Sequence, residues 1–125
     1  MNPDGMSRLA GIPAGAWLVA LSATHLSVLY KHSPICGSSR RAKTEVSDFM
    51  SGHPEARVFL LDVIAERALA GELATLLGVT HESPQVILLE GRTVVWHGSH
   101  EEITAEVLGR AYDLALGSDG VSRRT

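Results

Sequence analysis

The chain has 125 residues, enough for one domain with its own hydrophobic core. Its 11 basic and 14 acidic residues give a formal net charge of −3, so no excess of positive charge points to nucleic acid or an anionic membrane as a partner. The single cysteine, Cys36, excludes an internal disulfide and a multi-cysteine metal site built by one chain alone.

The sequence favours a protein of the cytoplasm. No run of about 18 apolar residues occurs that would predict a transmembrane helix. The apolar stretch 9–21 resembles a secretion signal, but Asp4 lies in its expected positive segment and glycines and a proline interrupt it. A lone cysteine is typical of a reducing compartment. We therefore expect a cytoplasmic protein without membrane partners.

The first half of the chain alternates between helix and strand patterns. A short helix is predicted over Gly15–His25, followed by a buried strand at Leu26–Tyr30 and a polar loop at Lys31–Ser38. Apolar residues of Ser39–Met50 recur at helical spacing and predict a second helix with its charged side chains outside. Arg57–Asp62 is the second predicted strand.

The second half predicts a helix, a β-hairpin and a final helix. The helix covers Ala65–Leu77, and the hairpin pairs Gln85–Glu90 with Thr93–His97. A capping-box pattern at Ser99–Glu102 predicts that the last helix begins at its serine. The residues predicted to face the core from these two helices are Leu69, Leu73, Leu76, Leu77, Ile103, Val107, Ala111 and Leu114.

This order of elements predicts an α/β fold with a mixed sheet and helices on both faces. By itself the order fits several such folds. Residues 1–12 are predicted to be a flexible lead-in, residues 13–116 a single domain, and residues 117–125 a flexible tail.

Cys36 lies between a predicted strand and a predicted helix, where free backbone N–H groups and the helix dipole favour a thiolate. Cysteines in such positions have pKa values of about 3.5–7.5, against about 8.5 unperturbed. Lys31, Arg40 and Arg41 add positive charge, as does His32 when protonated, and the small Gly37 and Ser38 leave the sulfur uncovered. The alternative is a buried structural cysteine, but the polar loop favours a nucleophile.

Pro84 is the second informative residue, because it lies directly before a predicted sheet strand. A proline at the first position of a strand is tolerated there. The alternative is a plain loop proline that follows the end of the helix at Gly78. A sharp turn of the loop would favour a cis peptide bond, but only about 5–6% of X-Pro bonds are cis, so the sequence leaves the isomer open.

Together, Cys36 at a helix N-terminus and Pro84 before a hairpin resemble the thioredoxin-like fold. In that fold the proline is cis, its loop faces the active cysteine, and its backbone pairs with the substrate chain. Three segments resemble, more narrowly, the monothiol bacilliredoxins, the YtxJ-like proteins of the bacillithiol system, over about Leu26 to Leu116: Lys31-His32-Ser33-x-x-Cys36-x-x-Ser39, His81-Glu82-Ser83-Pro84-Gln85 and Trp96-His97-x-Ser99-His100.

The resemblance implies a thioredoxin-like fold with a central mixed four-stranded sheet. It also implies that Cys36 attacks the mixed disulfide between an S-thiolated client protein and bacillithiol or a similar low-molecular-weight thiol. That thiol is the co-substrate, and no cofactor is tightly bound. Ser39 stands where thioredoxins place their resolving cysteine, so a second thiol molecule must release the first.

The resemblance further implies a set of site residues around the catalytic Cys36. Ser39 either donates a hydrogen bond to the sulfur or caps the helix. The family usually has Pro and Ile between its cysteine and serine, and their replacement here by Gly37 and Ser38 leaves the effect on reactivity open. The implied supporting residues are Lys31, His32 and Ser39, and the implied thiol- and substrate-binding residues are Gly37, Ser38, His81, Glu82, Ser83 and Pro84.

Three alternatives remain open. The string Cys36-Gly37-Ser38-Ser39 is similar to the loop of monothiol glutaredoxins, which carry a shared iron–sulfur cluster. A non-catalytic adaptor with a thioredoxin fold is the second alternative. The third is a metal site formed by histidines near the cysteine, but only His97 and His100 have ligand spacing, so we expect no bound metal. The histidines of that third hypothesis are His32, His81, His97 and His100.

Overall fold

A computed structural model describes the backbone of residues 3–124 and the side chains of residues 3–117. Its four strands are β1 (Leu26–His32), β2 (Arg57–Asp62), β3 (Gln85–Glu90) and β4 (Thr93–Ser99). They form one sheet in the order β2-β1-β3-β4, with β1 parallel to β2 and β3 antiparallel to both of its neighbours. The predicted mixed four-stranded sheet is confirmed.

Helices cover both faces of the sheet, as predicted. They are α1 (Ala14–Ser22), α2 (Gly37–Gly52), α3 (Arg67–Leu77) and α4 (Ala105–Arg124). Helices α2 and α4 pack on one face, and α1 and α3 pack on the other. Among the helices described, none is long and apolar enough to cross a membrane.

The central strand β1 contributes to two separate cores. Val28 and Tyr30 face the core under α2 and α4, whereas Leu29 faces the core under α1 and α3. All seven residues of β1 are buried, because its neighbours flank it and helices cover both faces. Each large apolar side chain buried in this way contributes about 1.5–3 kcal/mol of transfer free energy.

The polar loop predicted at Lys31–Ser38 begins two residues later than expected. Lys31 and His32 belong to β1 and are buried. Lys31 pairs with Gln85 of β3, and His32 pairs with Asp62 of β2. The prediction was wrong here because pairing with two neighbouring strands extends β1 through residues whose polarity alone favours a loop.

The start and buried face of the last helix also differ from the prediction. The capping box at Ser99 is present, but it closes a 3₁₀ turn over His100–Glu102. Helix α4 begins at Ala105, and the Thr104 hydroxyl accepts a hydrogen bond from the Val107 N–H at 3.1 Å. Ile103 is buried and Ala111 packs against the core, as predicted. Because the break shifts the helical phase, Leu108 and Tyr112 are buried instead of Val107 and Leu114.

The core-facing residues of α3 were predicted correctly in part. Leu69 and Leu73 are buried, and Leu77 packs against the same core. Leu76 was predicted to face inward but is 57% exposed. It lies on the outer side of the last turn of α3, two residues before the C-cap Gly78.

Residues 3–12 pack against the edge strand β2. Met6 is buried in the core under α2 and α4. The Ser7 N–H donates to the Val58 carbonyl and the Leu60 N–H donates to the Ser7 carbonyl, both at 2.9 Å. These contacts cover part of the sheet edge. Helix α4 runs into the predicted tail, and residues 1, 2 and 125 lie outside the described residues. The predicted domain limits and flexible ends stay predictions.

Candidate active site

Three loops meet at one end of the sheet. Lys31 lies near the end of β1, opposite Gln85, the first residue of β3. Gln85 in turn lies opposite Ser99, the last residue of β4. The segment 33–36, which follows β1, the segment 81–84, which precedes β3, and the corner that follows β4 therefore lie at this end.

Cys36 occupies the N-cap position of α2 and is partly exposed. Its N–H donates to the Ser33 carbonyl at 3.2 Å, which closes a tight turn. The neighbouring Ile35 is 82% exposed. As a thiol, Cys36 makes no capping hydrogen bond. The backbone N–H groups of Ser39 and Ser38, together with their hydroxyls, would stabilise a thiolate, and they lower the pKa of Cys36 in the predicted direction.

Ser39 is the third residue of α2, so it is not the helix cap that the sequence offered as one of its roles. It is fully buried, and its Oγ accepts a hydrogen bond from the Ser33 N–H at 3.1 Å. Its carbonyl accepts a hydrogen bond from the Tyr30 hydroxyl at 2.8 Å. Ser39 therefore connects three elements: the segment 33–36, here called the cysteine loop, the start of α2 and strand β1.

Tyr30 and His32 lie beneath the cysteine loop, on the α2 face of β1. The Tyr30 hydroxyl is 2.8 Å from His32 Nδ1. Burial raises the pKa of Tyr30, and burial together with the nearby Lys43 lowers the pKa of His32. The lowered pKa favours the neutral ring, so it disfavours the protonated form in which His32 is predicted to add positive charge.

The sequence analysis missed Tyr30 as a site residue. The available signal was strand alternation, which places residues i and i+2 on one face. Applied from His32 back to Tyr30, this period would have placed both side chains beneath the cysteine.

Lys31 lies on the opposite face of β1 and contacts the other loop. Its side chain is fully buried, and Nζ is 3.2 Å from His81 Nδ1. Burial lowers the pKa of Lys31 to about 8, although the charge of Glu82 opposes this shift. Burial and the Lys31 charge also lower the pKa of His81. The sequence predicts that Lys31 adds positive charge near the Cys36 sulfur. In the structure its side chain instead contacts His81, in the loop before β3.

The loop before β3 is attached to the end of β4. The Ser83–Pro84 peptide bond is cis, and the Pro84 carbonyl accepts from the His100 N–H at 3.1 Å. One Glu82 carboxylate oxygen accepts from the Ser99 hydroxyl at 2.9 Å, and the other lies 3.3 Å from His100 Nε2. The Ser83 hydroxyl is buried without a hydrogen-bond partner among the described residues. Glu82 and Pro84 thus join two loops at the site.

The sequence predicts that Arg41 adds positive charge near Cys36, but it does not predict the hydrogen bonds that this side chain makes. It donates from α2 to the His100 carbonyl at 2.7 Å and to the Ile103 carbonyl at 3.0 Å. Because both acceptors are backbone carbonyls, side-chain patterns in the sequence carry no signal for this contact. Arg41 holds the 3₁₀ turn against α2.

A cavity of about 380 Å³ opens beside the cysteine loop. Its wall includes His32 and Pro34, and its other side is formed by the N-terminal segment and the residues around the end of β2. Two cations at the cavity, Arg8 and Lys43, share the Asp4 carboxylate at 2.7 and 3.1 Å. The volume falls within the range of small-molecule pockets, about 300–1,000 Å³.

The histidines of the alternative metal hypothesis make other contacts. Among the side chains described, those of residues 3–117, no group of three or more His, Cys, Asp or Glu is arranged to hold a metal ion. His81 instead contacts Lys31, and His100 contacts Glu82. These histidines take part in hydrogen bonds within the loops.

Comparisons with known proteins match this fold and these motifs. Residues 16–108 match the family described as Monothiol bacilliredoxin BrxC. A solved structure described as a candidate oxidoreductase with a thioredoxin fold is 25% identical, with 86% of this chain and 94% of that chain covered and a TM-score of 0.77.

Two thioredoxins share the fold at lower sequence identity. Thioredoxin from Trypanosoma brucei brucei is 9% identical, with 93% of this chain and 95% of that chain covered and a TM-score of 0.75. Oxidized mitochondrial thioredoxin 3 from Saccharomyces cerevisiae is 12% identical, with 84% and 91% covered and a TM-score of 0.67. The thioredoxin-like fold implied by the sequence motifs is confirmed.

Proposed function

This chain belongs to the monothiol bacilliredoxin family and is a thiol oxidoreductase, and on that premise we propose that it removes bacillithiol, or a similar low-molecular-weight thiol, from client-protein cysteines. The observation that carries the proposal is the position of Cys36. Its sulfur is partly exposed at the N-terminus of α2, where two serine amides favour the thiolate. A thiolate is the reactive form in disulfide exchange.

In the first step, the Cys36 thiolate attacks the small-thiol sulfur of the client's mixed disulfide. A new disulfide forms between Cys36 and the small thiol while the original disulfide breaks. The client cysteine leaves as a thiolate and takes a proton from solvent. The client is thereby reduced, and Cys36 carries the small thiol.

In the second step, another molecule of the small thiol attacks the adduct. The products are the oxidised small-thiol dimer and the free Cys36 thiolate, so two small-thiol sulfurs supply the two electrons for the client. Ser39 at the resolving position has no sulfur for an internal disulfide. The reaction therefore needs a pool of reduced small thiol and no tightly bound cofactor, and a cytoplasmic location supplies that pool.

The neighbouring loops supply the binding surface in this proposal. The Ser83 backbone, next to Pro84, pairs with the bound thiol, and the small Gly37 and Ser38 leave room for the client chain. His81 and Glu82 hold the loop through their contacts with Lys31 and with the end of β4. The cavity beside the cysteine loop has room for the body of a small thiol.

Mass spectrometry with oxidised bacillithiol tests the proposal directly. We expect one adduct per chain, located on Cys36 and removed by free thiol, and no adduct on the Cys36→Ser variant. The wild-type protein should also release reduced client from a bacillithiolated client protein when free bacillithiol is present. A folded protein that forms no adduct and releases no client would show that the proposal is wrong.

A further inference from the structure

Beneath the cysteine loop lies a hydrogen-bonded group that the exchange reaction does not itself use. We propose that Tyr30, held by His32, is a positioning residue that fixes Ser39 in the first turn of α2 so that Ser39 faces the Cys36 sulfur. The inference deepens the proposed function, because it concerns how the same nucleophile is kept reactive. It depends on three buried residues, of which Tyr30 is the centre: its hydroxyl contacts the His32 ring on one side and the Ser39 backbone carbonyl on the other.

The available protons determine the direction of each hydrogen bond. Tyr30 has one hydroxyl proton, and the Ser39 carbonyl can only accept, so that proton is donated to Ser39. The contact of 2.8 Å between the Tyr30 oxygen and His32 Nδ1 then needs its proton from the histidine. His32 is therefore protonated on Nδ1, and its Nε2 has no proton while the ring is neutral.

The charged groups around His32 are compatible with a neutral ring. Lys43 approaches from α2 and Arg8 from the N-terminal segment, and both disfavour protonation. Asp62 at the end of β2 and Asp4 favour it, but burial outweighs them. The only tautomer of a neutral ring that satisfies Tyr30 is the one with its proton on Nδ1.

Ser39 is held from two sides while it faces the sulfur. Tyr30 binds its carbonyl, and the Ser33 N–H binds its Oγ. The hydroxyl proton of Ser39 remains free to point to Cys36, as does its backbone N–H. These two groups contribute to the lowered pKa of Cys36. A shift of Ser39 away from the sulfur would weaken both hydrogen bonds to the thiolate.

The first test removes the Tyr30 hydroxyl with Tyr30→Phe and follows the Cys36 titration by thiolate ultraviolet absorbance. We expect the Cys36 pKa to rise by about half a unit or more. The net free energy of an ordinary hydrogen bond corresponds to a shift of about this size, and part of that free energy supports the thiolate. Tyr112→Phe is the matched control, since Tyr112 is also buried but lies on α4 against Phe49. It keeps the ring contact with Phe49 and should leave the Cys36 titration unchanged.

The second test concerns His32 and does not depend on Tyr30→Phe being folded. His32→Asn retains a donor near the Nδ1 position and should keep the wild-type Cys36 pKa, whereas His32→Leu should raise it. Nitrogen NMR of the wild-type ring should show the proton on Nδ1. A proton on Nε2, or equal Cys36 pKa values in Tyr30→Phe and Tyr112→Phe, would overturn the inference.

These measurements need no substrate. If the wild-type protein fails to release small thiol from a client but the Cys36 pKa still rises in Tyr30→Phe, the proposed function is wrong and the positioning role stands. If release occurs and the pKa does not move, the reverse holds.

Discussion

The two loops at the active end of the sheet are held by different physical interactions. Beneath Cys36, neutral and buried groups make hydrogen bonds: Tyr30, His32 and Ser39. The loop before β3 is instead held by ionisable groups, with Glu82 and His100 about half exposed. Neutral buried hydrogen bonds are little affected by salt, whereas exposed ion pairs are screened. The contacts beneath Cys36 should therefore persist at high salt, whereas the ion pair of the loop before β3 should weaken.

Ser39→Cys should have the largest effect on the cysteine side of the site, because it places a second sulfur in the first turn of α2. We expect the Cys36 adduct with the small thiol to be released orders of magnitude faster, because an internal thiol competes at high effective concentration. Stopped-flow exchange followed by mass spectrometry would show an internal disulfide in place of the adduct. Ser38→Cys is the control, and an adduct equally long-lived in Ser39→Cys and in wild type would contradict the expectation.

Ser39→Ala removes the buried hydroxyl that accepts a hydrogen bond from the loop before α2. The buried Ser33 N–H loses its acceptor, which costs about 1–3 kcal/mol of unfolding free energy, and the Cys36 pKa rises. Denaturant unfolding and thiol titration measure the two effects. Ser38→Ala should raise the pKa with little loss of stability, since Ser38 is exposed. Equal stability of the two variants would contradict this role of Ser39.

Lys31→Met tests the ionisable groups at the loop before β3 through the dependence of stability on pH. Burial lowers the pKa of Lys31 from 10.5 to about 8, so the unfolded chain binds more protons between these pH values. Stability should therefore rise with pH across this window, and Lys31→Met should remove the rise and add stability on the order of 1–2 kcal/mol at pH 7.

The Lys31→Met measurement is best made in the Cys36→Ser background. The lowered pKa of Cys36 also makes stability rise with pH, between its pKa in the folded protein and its higher pKa in the unfolded chain, and this rise overlaps with the Lys31 window. If Lys31→Met leaves the dependence of stability on pH unchanged in that background, burial does not lower the pKa of Lys31.

Glu82→Gln should have the smallest effect on stability. Its ion pair with His100 is about half exposed on each side, and such pairs contribute about 0–1 kcal/mol. We expect a small loss that disappears in high salt, because exposed charges are screened. The Cys36 pKa should not move. A clear shift of that pKa would show that the two loops are coupled more strongly than their contacts indicate.

The sequence determined the local features of this protein. Helical and strand periods predicted the order of elements and the mixed sheet, because these signals lie within a few neighbouring residues. The position of Cys36 before α2 and the motif around Pro84 likewise pointed to the site, and the family match agrees with them. Local patterns failed where an interruption shifted the phase, as in the face of α4 that buries Leu108 instead of Val107.

Only the tertiary structure decided which polar groups meet. Lys31 contacts His81 across 50 positions of the sequence, because the register between β1 and β3 brings them together. Ser39 reaches Tyr30 because α2 packs over the face of β1 on which that side chain lies. Strand register and helix packing depend on the whole core, so the single cysteine was evident from the sequence, but the groups that hold it were not.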